Sequence, residues 1–108
     1  MRSQKILVLD DESTLRSALF RSLERKGYSV LTASRIDETP HLPPDALDLA
    51  IVDLMLPDGD GIEFMGSLKR SHPGLQVIIL TGHGNIETAV KATRLGAFHF
   101  MTKPFNMD

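Results

Sequence analysis

The chain has no cysteine, no tryptophan and a single tyrosine. The first absence excludes disulfides, thiolate catalysis and cysteine-held zinc together. Aromatic residues make up 6% of the chain, which leaves little with which to stack the bases of a nucleic acid. Neither sign of charge dominates: 12 Lys and Arg face 14 Asp and Glu, for a net charge of −2. The basic footprint of a nucleic-acid-binding domain is therefore missing, and direct nucleic-acid binding is not expected. No apolar stretch approaches the roughly 20 residues of a membrane-spanning helix. The N-terminus passes from Lys5 through one short apolar run straight into Asp10, with no long apolar core or small-residue cleavage site of a signal peptide. The expectation is a cytoplasmic protein with no membrane association. What remains, 108 residues that are 42% hydrophobic and 24% charged, suits one globular domain.

The apolar residues fall into two alternating patterns. Lys5–Leu9 (KILVL) is a short apolar run that ends in Asp10 and Asp11, as a strand buried on both faces would. Tyr28–Ala33, Leu49–Leu54, Gln76–Leu80 and Ala97–Thr102 read as four more strands. Between them lie helical spacings: Leu15, Leu19 and Leu23 after Ser13, then Ile62, Met65 and Leu68, then Ile86 and Val90. Ser13 is the expected N-cap of the first helix, and Gly27 and Gly96 are natural stops. Strand and helix alternate throughout, which predicts a parallel α/β sheet with helices on both faces. Pro40, Pro43 and Pro44 oppose a regular helix between the second and third strands. A turn of helix near Arg35–Thr39 followed by a loop is expected there.

In an open α/β sheet, ligands bind beyond the carboxyl ends of the strands. The first strand ends in Asp10, Asp11 and Glu12, the third at Asp53, the fourth at Thr81 and the fifth at Lys103. With strand order 2-1-3-4-5 these groups surround one pocket. Clustered carboxylates repel and need a cation, and an all-oxygen donor set favours a hard ion, Mg²⁺ first and Mn²⁺ second. Asp10 and Asp11 would form the metal edge. Asp53 would stand between metal and Lys103, able to attack phosphorus as a nucleophile. The Lys103 ammonium would neutralise phosphoryl oxygens, and the Thr81 hydroxyl would donate to one. Taken singly, each has a plainer role: Asp10 to Glu12 as helix N-terminal charge, Thr81 as a strand end, Lys103 as a solvated side chain. Asp53, set between apolar residues, is harder to dismiss, because a lone buried carboxylate is costly.

The segments KILVLDDE, IVDLMLPDGDG, VIILTGHG and MTKPF, in this order and spacing, resemble the receiver domain of two-component response regulators. The resemblance runs from Lys5 to Phe105. The C-terminal part is most similar to receivers of NtrC-like and RegA/PrrA-like transcriptional regulators. The resemblance implies a flavodoxin-like doubly wound sheet of five parallel strands, order 2-1-3-4-5. It implies that residues 1–108 form a phosphoacceptor domain taking a phosphoryl group on Asp53 from a sensor histidine kinase or phosphotransfer protein. Asp10 and Asp11 would lie at the metal, joined by the Met55 carbonyl. Thr81 and Lys103 would contact the phosphoryl group, and Phe100 holds the place of the aromatic switch residue. Such a domain catalyses its own phosphoryl transfer and slow dephosphorylation rather than acting as a metabolic enzyme. Its partners would be the kinase, an output domain that regulates transcription and, in a homodimer, a second copy.

Two departures accompany the resemblance. The proline-rich stretch stands where a regular second helix belongs. The sequence stops at Asp108, where the family places its fifth helix; a fragment truncated before that helix is expected, the alternative being a domain that lacks it, and either way one flank of the sheet would be left apolar and bare. Asn106 or Asp108 would cap that helix. Two rival functions differ in class. A phosphohydrolase of the HAD type would need a second Asp two residues after the nucleophile, and that position is Met55. A non-phosphorylated binding module of receiver shape would not need the acidic pocket and Lys103 intact. Asp58-Gly59-Asp60-Gly61 resembles part of a calcium loop but lacks the remaining ligands of one. His83 reads as a surface loop residue that modulates water access to the phosphoryl group.

Overall fold

In the computed structural model, residues 4–41, 47–82 and 86–103 are described. Five parallel strands form the sheet: β1 (Lys5–Leu9), β2 (Ser29–Ala33), β3 (Leu49–Asp53), β4 (Gln76–Thr81) and β5 (His99–Thr102). Their order is β2-β1-β3-β4-β5, the order expected from the sequence. Three helices lie among the described residues: α1 (Ser13–Arg25), α2 (Gly61–Ser71) and α3 (Ile86–Arg94). A two-residue antiparallel ribbon, Met55–Leu56 with Gly59–Asp60, follows β3.

The apolar strands divide their side chains between two layers, as the pleat requires. Leu7, Leu9, Ala50, Val52, Val77 and Ile79 pack with Ile62 and Met65 of α2 and Ala92 of α3. Ile6, Val8, Val30, Ile51 and Leu80 pack with Leu19 of α1 on the opposite face. Each fully buried Leu, Ile, Val or Met side chain among these contributes about 1.5–3 kcal/mol. The alternation also decides what reaches the strand ends. Asp10 continues the Ile6–Val8 row and Asp53 the row of Ile51. Thr81 continues the row of Val77 and Ile79.

The helix ends correct one expectation. Ser13 is the first helical residue rather than the cap; Glu12 holds the N-cap position and makes no side-chain capping bond. The reason lies in Asp10, whose Oδ1 already accepts the Glu12 N–H at 2.8 Å and turns the chain into the helix. Gly27 ends the first helix with φ +100° and Gly96 the third with φ +108°, a region that favours glycine. At α2, Asp60 is the N-cap and accepts the Ile62 N–H at 2.7 Å. Asp60 thus serves a helix end rather than a calcium loop.

The crossover from β2 to β3 contains a short 3-10 helix, Ile36–His41, which starts one residue later and ends two residues later than the turn expected and runs through Pro40. Such a short helix has few interior hydrogen bonds for a proline to remove. On the α1 face, Ile78 and Met101 are only partly buried and Phe98 is 68% exposed. No helix other than α1 covers that face among the described residues. Asn106, Asp108 and His83 lie outside the described residues.

Candidate functional site

Four strands end around one acidic pocket. Asp10, just past β1, is held by its own N–H on the Ala33 carbonyl at 3.0 Å and by Arg16 Nη1 on its carbonyl at 2.7 Å. Its side chain has no solvent exposure, and Oδ2 accepts no well-directed hydrogen bond among the described residues. What faces that oxygen is a charge, Lys103 Nζ at 3.0 Å. Asp53, the last residue of β3, is 5% exposed. Its Oδ2 lies 3.4 Å from Lys103 Nζ, and its Oδ1 accepts a long bond of 3.4 Å from the Met55 N–H. Lys103 follows β5, where its N–H donates to the Thr81 carbonyl at 2.7 Å. Asp11 is exposed at the rim.

The backbone around Asp53 is equally constrained. The Leu54 N–H donates to the Leu80 carbonyl at 2.7 Å, and Gly61 N–H to the Leu54 carbonyl at 2.8 Å. At Gly61 a Cβ would lie 2.0 Å from the Asp53 carbonyl oxygen, so only glycine lets the loop close onto the strand end.

The electrostatics follow from burial. Removal from water pushes the Asp53 carboxyl up to about 6; the Asp10 charge adds to this, while Lys103 and the Met55 N–H oppose it. Burial would lower Lys103, but its close contact with Asp10 and the charges of Asp10 and Asp53 outweigh that and hold it above the ordinary lysine value. Asp10 and Asp53 are buried around one ammonium, with Asp11 at the edge, so the pocket is short of positive charge. One oxygen each of Asp10, Asp11 and Asp53 lie within 4.8 Å of one another. The poorly satisfied Asp10 Oδ2 and this all-oxygen set fit a hard divalent cation.

The profile of the response regulator receiver domain family matches residues 6–108. The chain belongs to that family. The receiver is 40% identical over 106 residues to the nitrogen assimilation regulatory protein NtrX of Azorhizobium caulinodans, covering 95% of this chain and 23% of that protein. It thus spans about a quarter of the length of such curated relatives. It matches the solution structure of the beryllofluoride-activated NtrC4 receiver domain dimer with a TM-score of 0.89, 39% identity and coverage of 94% and 85% of the two chains. A second match is a response regulator from Burkholderia pseudomallei carrying a phosphorylated aspartic acid and a calcium ion. Its TM-score is 0.88 at 34% identity, over 97% of this chain and 62% of that one. The receiver is a phosphorylation-dependent signalling switch whose relatives include NtrC-like transcriptional regulators. The acidic cluster is the place for a divalent metal.

The structure brings Asp10, Asp11, Asp53 and Lys103 together, with Thr81 fully buried at the adjoining strand end. Met55 reaches the site through its backbone, and its side chain is 65% exposed. Phe100 is partly buried on β5, packed against the core beneath α2 and α3. Glu12, placed at the pocket by the strand-end reading, has its Oε2 3.7 Å from Lys103 Nζ. One further participant is not among the residues expected from the sequence: Arg16 clamps the Asp10 carbonyl. A side chain bound to a backbone carbonyl leaves no mark in the identity of its partner, so no pattern could have found Arg16.

Proposed function

We propose that Asp53 is the phosphoacceptor and that its donor is the phosphohistidine of a sensor histidine kinase or a phosphotransfer protein. The observation that carries this is the placement of the Asp53 carboxylate, at a strand end between Lys103 and the Asp10–Asp11 edge. At neutral pH Asp53 is mostly ionised, the form that attacks phosphorus. An Asp53 oxygen forms the new P–O bond, the donor P–N bond breaks, and the leaving imidazole takes up a proton. Lys103 offsets the phosphoryl charge, and Thr81, at the end of the neighbouring strand, supplies a hydroxyl donor. Asp10, Asp11, Asp53 and the Met55 carbonyl would hold Mg²⁺, which neutralises phosphoryl oxygens when bound; Mn²⁺ suits the same donors. The switch acts in the cytoplasm on an attached or partner output function in transcription, and homodimerisation belongs to that output. No helix among the described residues is long and apolar enough to cross a membrane.

The test is intact mass after incubation with acetyl phosphate, with and without Mg²⁺, for wild type and Asp53→Asn. A phosphoryl adduct that needs both Mg²⁺ and Asp53 is expected. An equal yield in Asp53→Asn would remove Asp53 from the role. No adduct on folded wild type would favour an inert module of receiver shape.

A further inference from the structure

The loop after β3 touches the β2–β3 crossover through side chains that the pocket chemistry does not use. Asp58 Oδ1 accepts the Ile36 N–H at 2.9 Å, and Oδ2 accepts the Asp37 N–H at 3.0 Å. Arg35 Nε lies 2.9 Å from Asp37 Oδ1 and 3.7 Å from Asp58 Oδ2. Next to it, a Cβ on Gly59 would stand 2.7 Å from Ile36 Cδ1, so the two backbones meet without room for a side chain. One carboxylate therefore binds the first two N–H groups of the 3-10 helix Ile36–His41, across more than twenty residues of sequence. The bond from Ile36, with those from Asp37 and the Arg35 charge, outweighs desolvation and holds the Asp58 carboxyl below its ordinary value. The contact is thus made by an ionised group at neutral pH.

The same loop ends in the phosphorylation pocket. Met55 donates its N–H to Asp53 and pairs with Asp60 in the ribbon, while Leu56 pairs with Gly59. Asp58 sits in the tip between those paired residues. Movement of Met55 must therefore carry the ribbon, and the ribbon is fastened to Ile36 and Asp37.

We propose that Asp58 is a positioning residue that latches the Met55 loop to the Ile36–His41 turn, making this turn a second output surface of the switch. The proposal rests on Asp53 as the phosphoacceptor for its output half, and on the loop contacts alone for its positioning half. Phosphorylation should move the turn through the ribbon, and release of the turn should loosen the Met55 N–H that holds Asp53 and so slow phosphorylation.

The experiment is amide NMR and intact mass on the chain with Asp58→Ala, Asp58→Asn and the control Asp37→Ala. Without phosphate, Asp58→Ala should shift the Met55 amide and lower its protection from hydrogen exchange. Asp58→Asn, which keeps one acceptor oxygen, should do so less, and Asp37→Ala should leave Met55 in place. With Mg²⁺ and acetyl phosphate, the Ile36 and Asp37 amides should move in wild type and stay still in Asp58→Ala. Adduct formation in Asp58→Ala should be slower than in wild type. Asp58→Ala that shifts Ile36 and Asp37 but leaves Met55 untouched would overturn the positioning role. A wild-type adduct with Ile36 and Asp37 unmoved would overturn the output surface while leaving Asp53 as acceptor. No adduct on folded wild type would instead sink the Asp53 reading and the output half with it, and the phosphate-free arm would still decide the latch. If Asp58→Ala does not fold, Asp58→Asn carries both arms.

Discussion

Lys103 Nζ lies 3.0 Å from Asp10 Oδ2, closer than its 3.4 Å approach to Asp53 Oδ2. The ammonium is thus committed first to the aspartate proposed for the metal edge. A cation arriving at Asp10 and Asp11 must share Asp10 with it. Charges this close interact by about 5 kcal/mol at an effective dielectric of ~20, part of which is lost to screening.

Lys103→Met should therefore tighten Mg²⁺ binding about tenfold or more, as read by calorimetric titration. The same change should destabilise the cation-free protein by about 3 kcal/mol, because buried carboxylates lose their counter-charge. Added Mg²⁺ should restore most of that loss in urea unfolding. Unchanged Mg²⁺ affinity in Lys103→Met would mean that the Asp10 contact does not compete with the cation.

Asp53 gives the fold a pH dependence. Its folded carboxyl is raised from 3.8 to about 6 by burial and by Asp10. A raised carboxyl leaves the fold most stable below the unfolded value, and that contribution is lost as pH climbs through about 6. Cation-free protein should thus be penalised at pH 7 by this group. A tenfold change in proton affinity corresponds to about 1.36 kcal/mol, which bounds the effect at about 3 kcal/mol. Asp53→Asn should accordingly be more stable than wild type by about 1–2 kcal/mol at pH 7 in EDTA, and the gain should shrink by pH 5. Urea unfolding of both proteins at the two pH values measures it. A gain that grows toward pH 5 would have the opposite sign and rule out a raised Asp53 carboxyl as its source.

Among the described glycines, Gly61 has the least room for a side chain. A methyl group there would stand 2.0 Å from the Asp53 carbonyl oxygen, a contact that backbone atoms on both sides must relieve. Gly61→Ala should destabilise the fold by about 3 kcal/mol or more and displace the phosphoacceptor. Gly74→Ala is the control, since nothing lies within 4 Å of a Cβ at that position. Equal unfolding midpoints for Gly61→Ala and wild type would show that the loop can close another way.

The strands and the pocket were legible because the inner strands are apolar and their chemistry sits at the ends, while the strand order came only from the resemblance to receivers. Lys5–Leu9 and Leu49–Asp53 could only be buried on both faces, and Asp10, Asp53, Thr81 and Lys103 terminate their runs. The cap of α1 was not legible, because Asp10 uses a carboxylate oxygen to turn the chain at Glu12 and so relieves Ser13 of the task. Nor was the latch at Asp58. Its acceptors meet backbone N–H groups in a different crossover, and periodicity carries no trace of such a contact. Pro40 marked the crossover as irregular without revealing that a 3-10 helix could run through it.

Thr81 connects the pocket to the far edge of the sheet. It is buried at the end of β4, and its carbonyl holds the Lys103 N–H at 2.7 Å. Thr81 pairs with Thr102 and Ile79 with Phe100, so the pleat sets Thr81 and Phe100 on the same face, toward α3. A phosphoryl group on Asp53 that draws the Thr81 hydroxyl inward would open space that Phe100 can fill. The phosphoryl group shifts the equilibrium only through contacts that differ between the two states. A hydrogen bond to a charged group is worth about 1.5–3 kcal/mol, enough to change the ratio of states about tenfold or more. Thr81→Ala should therefore still take a phosphoryl group at Asp53, yet show smaller amide shifts at Phe100 and along α3 than phosphorylated wild type. Lys103 still offsets the phosphoryl charge in that variant, which is why acceptance should survive while the response weakens. Fully phosphorylated Thr81→Ala that moves Phe100 and α3 as far as wild type does would place the coupling elsewhere than in the Thr81 hydroxyl.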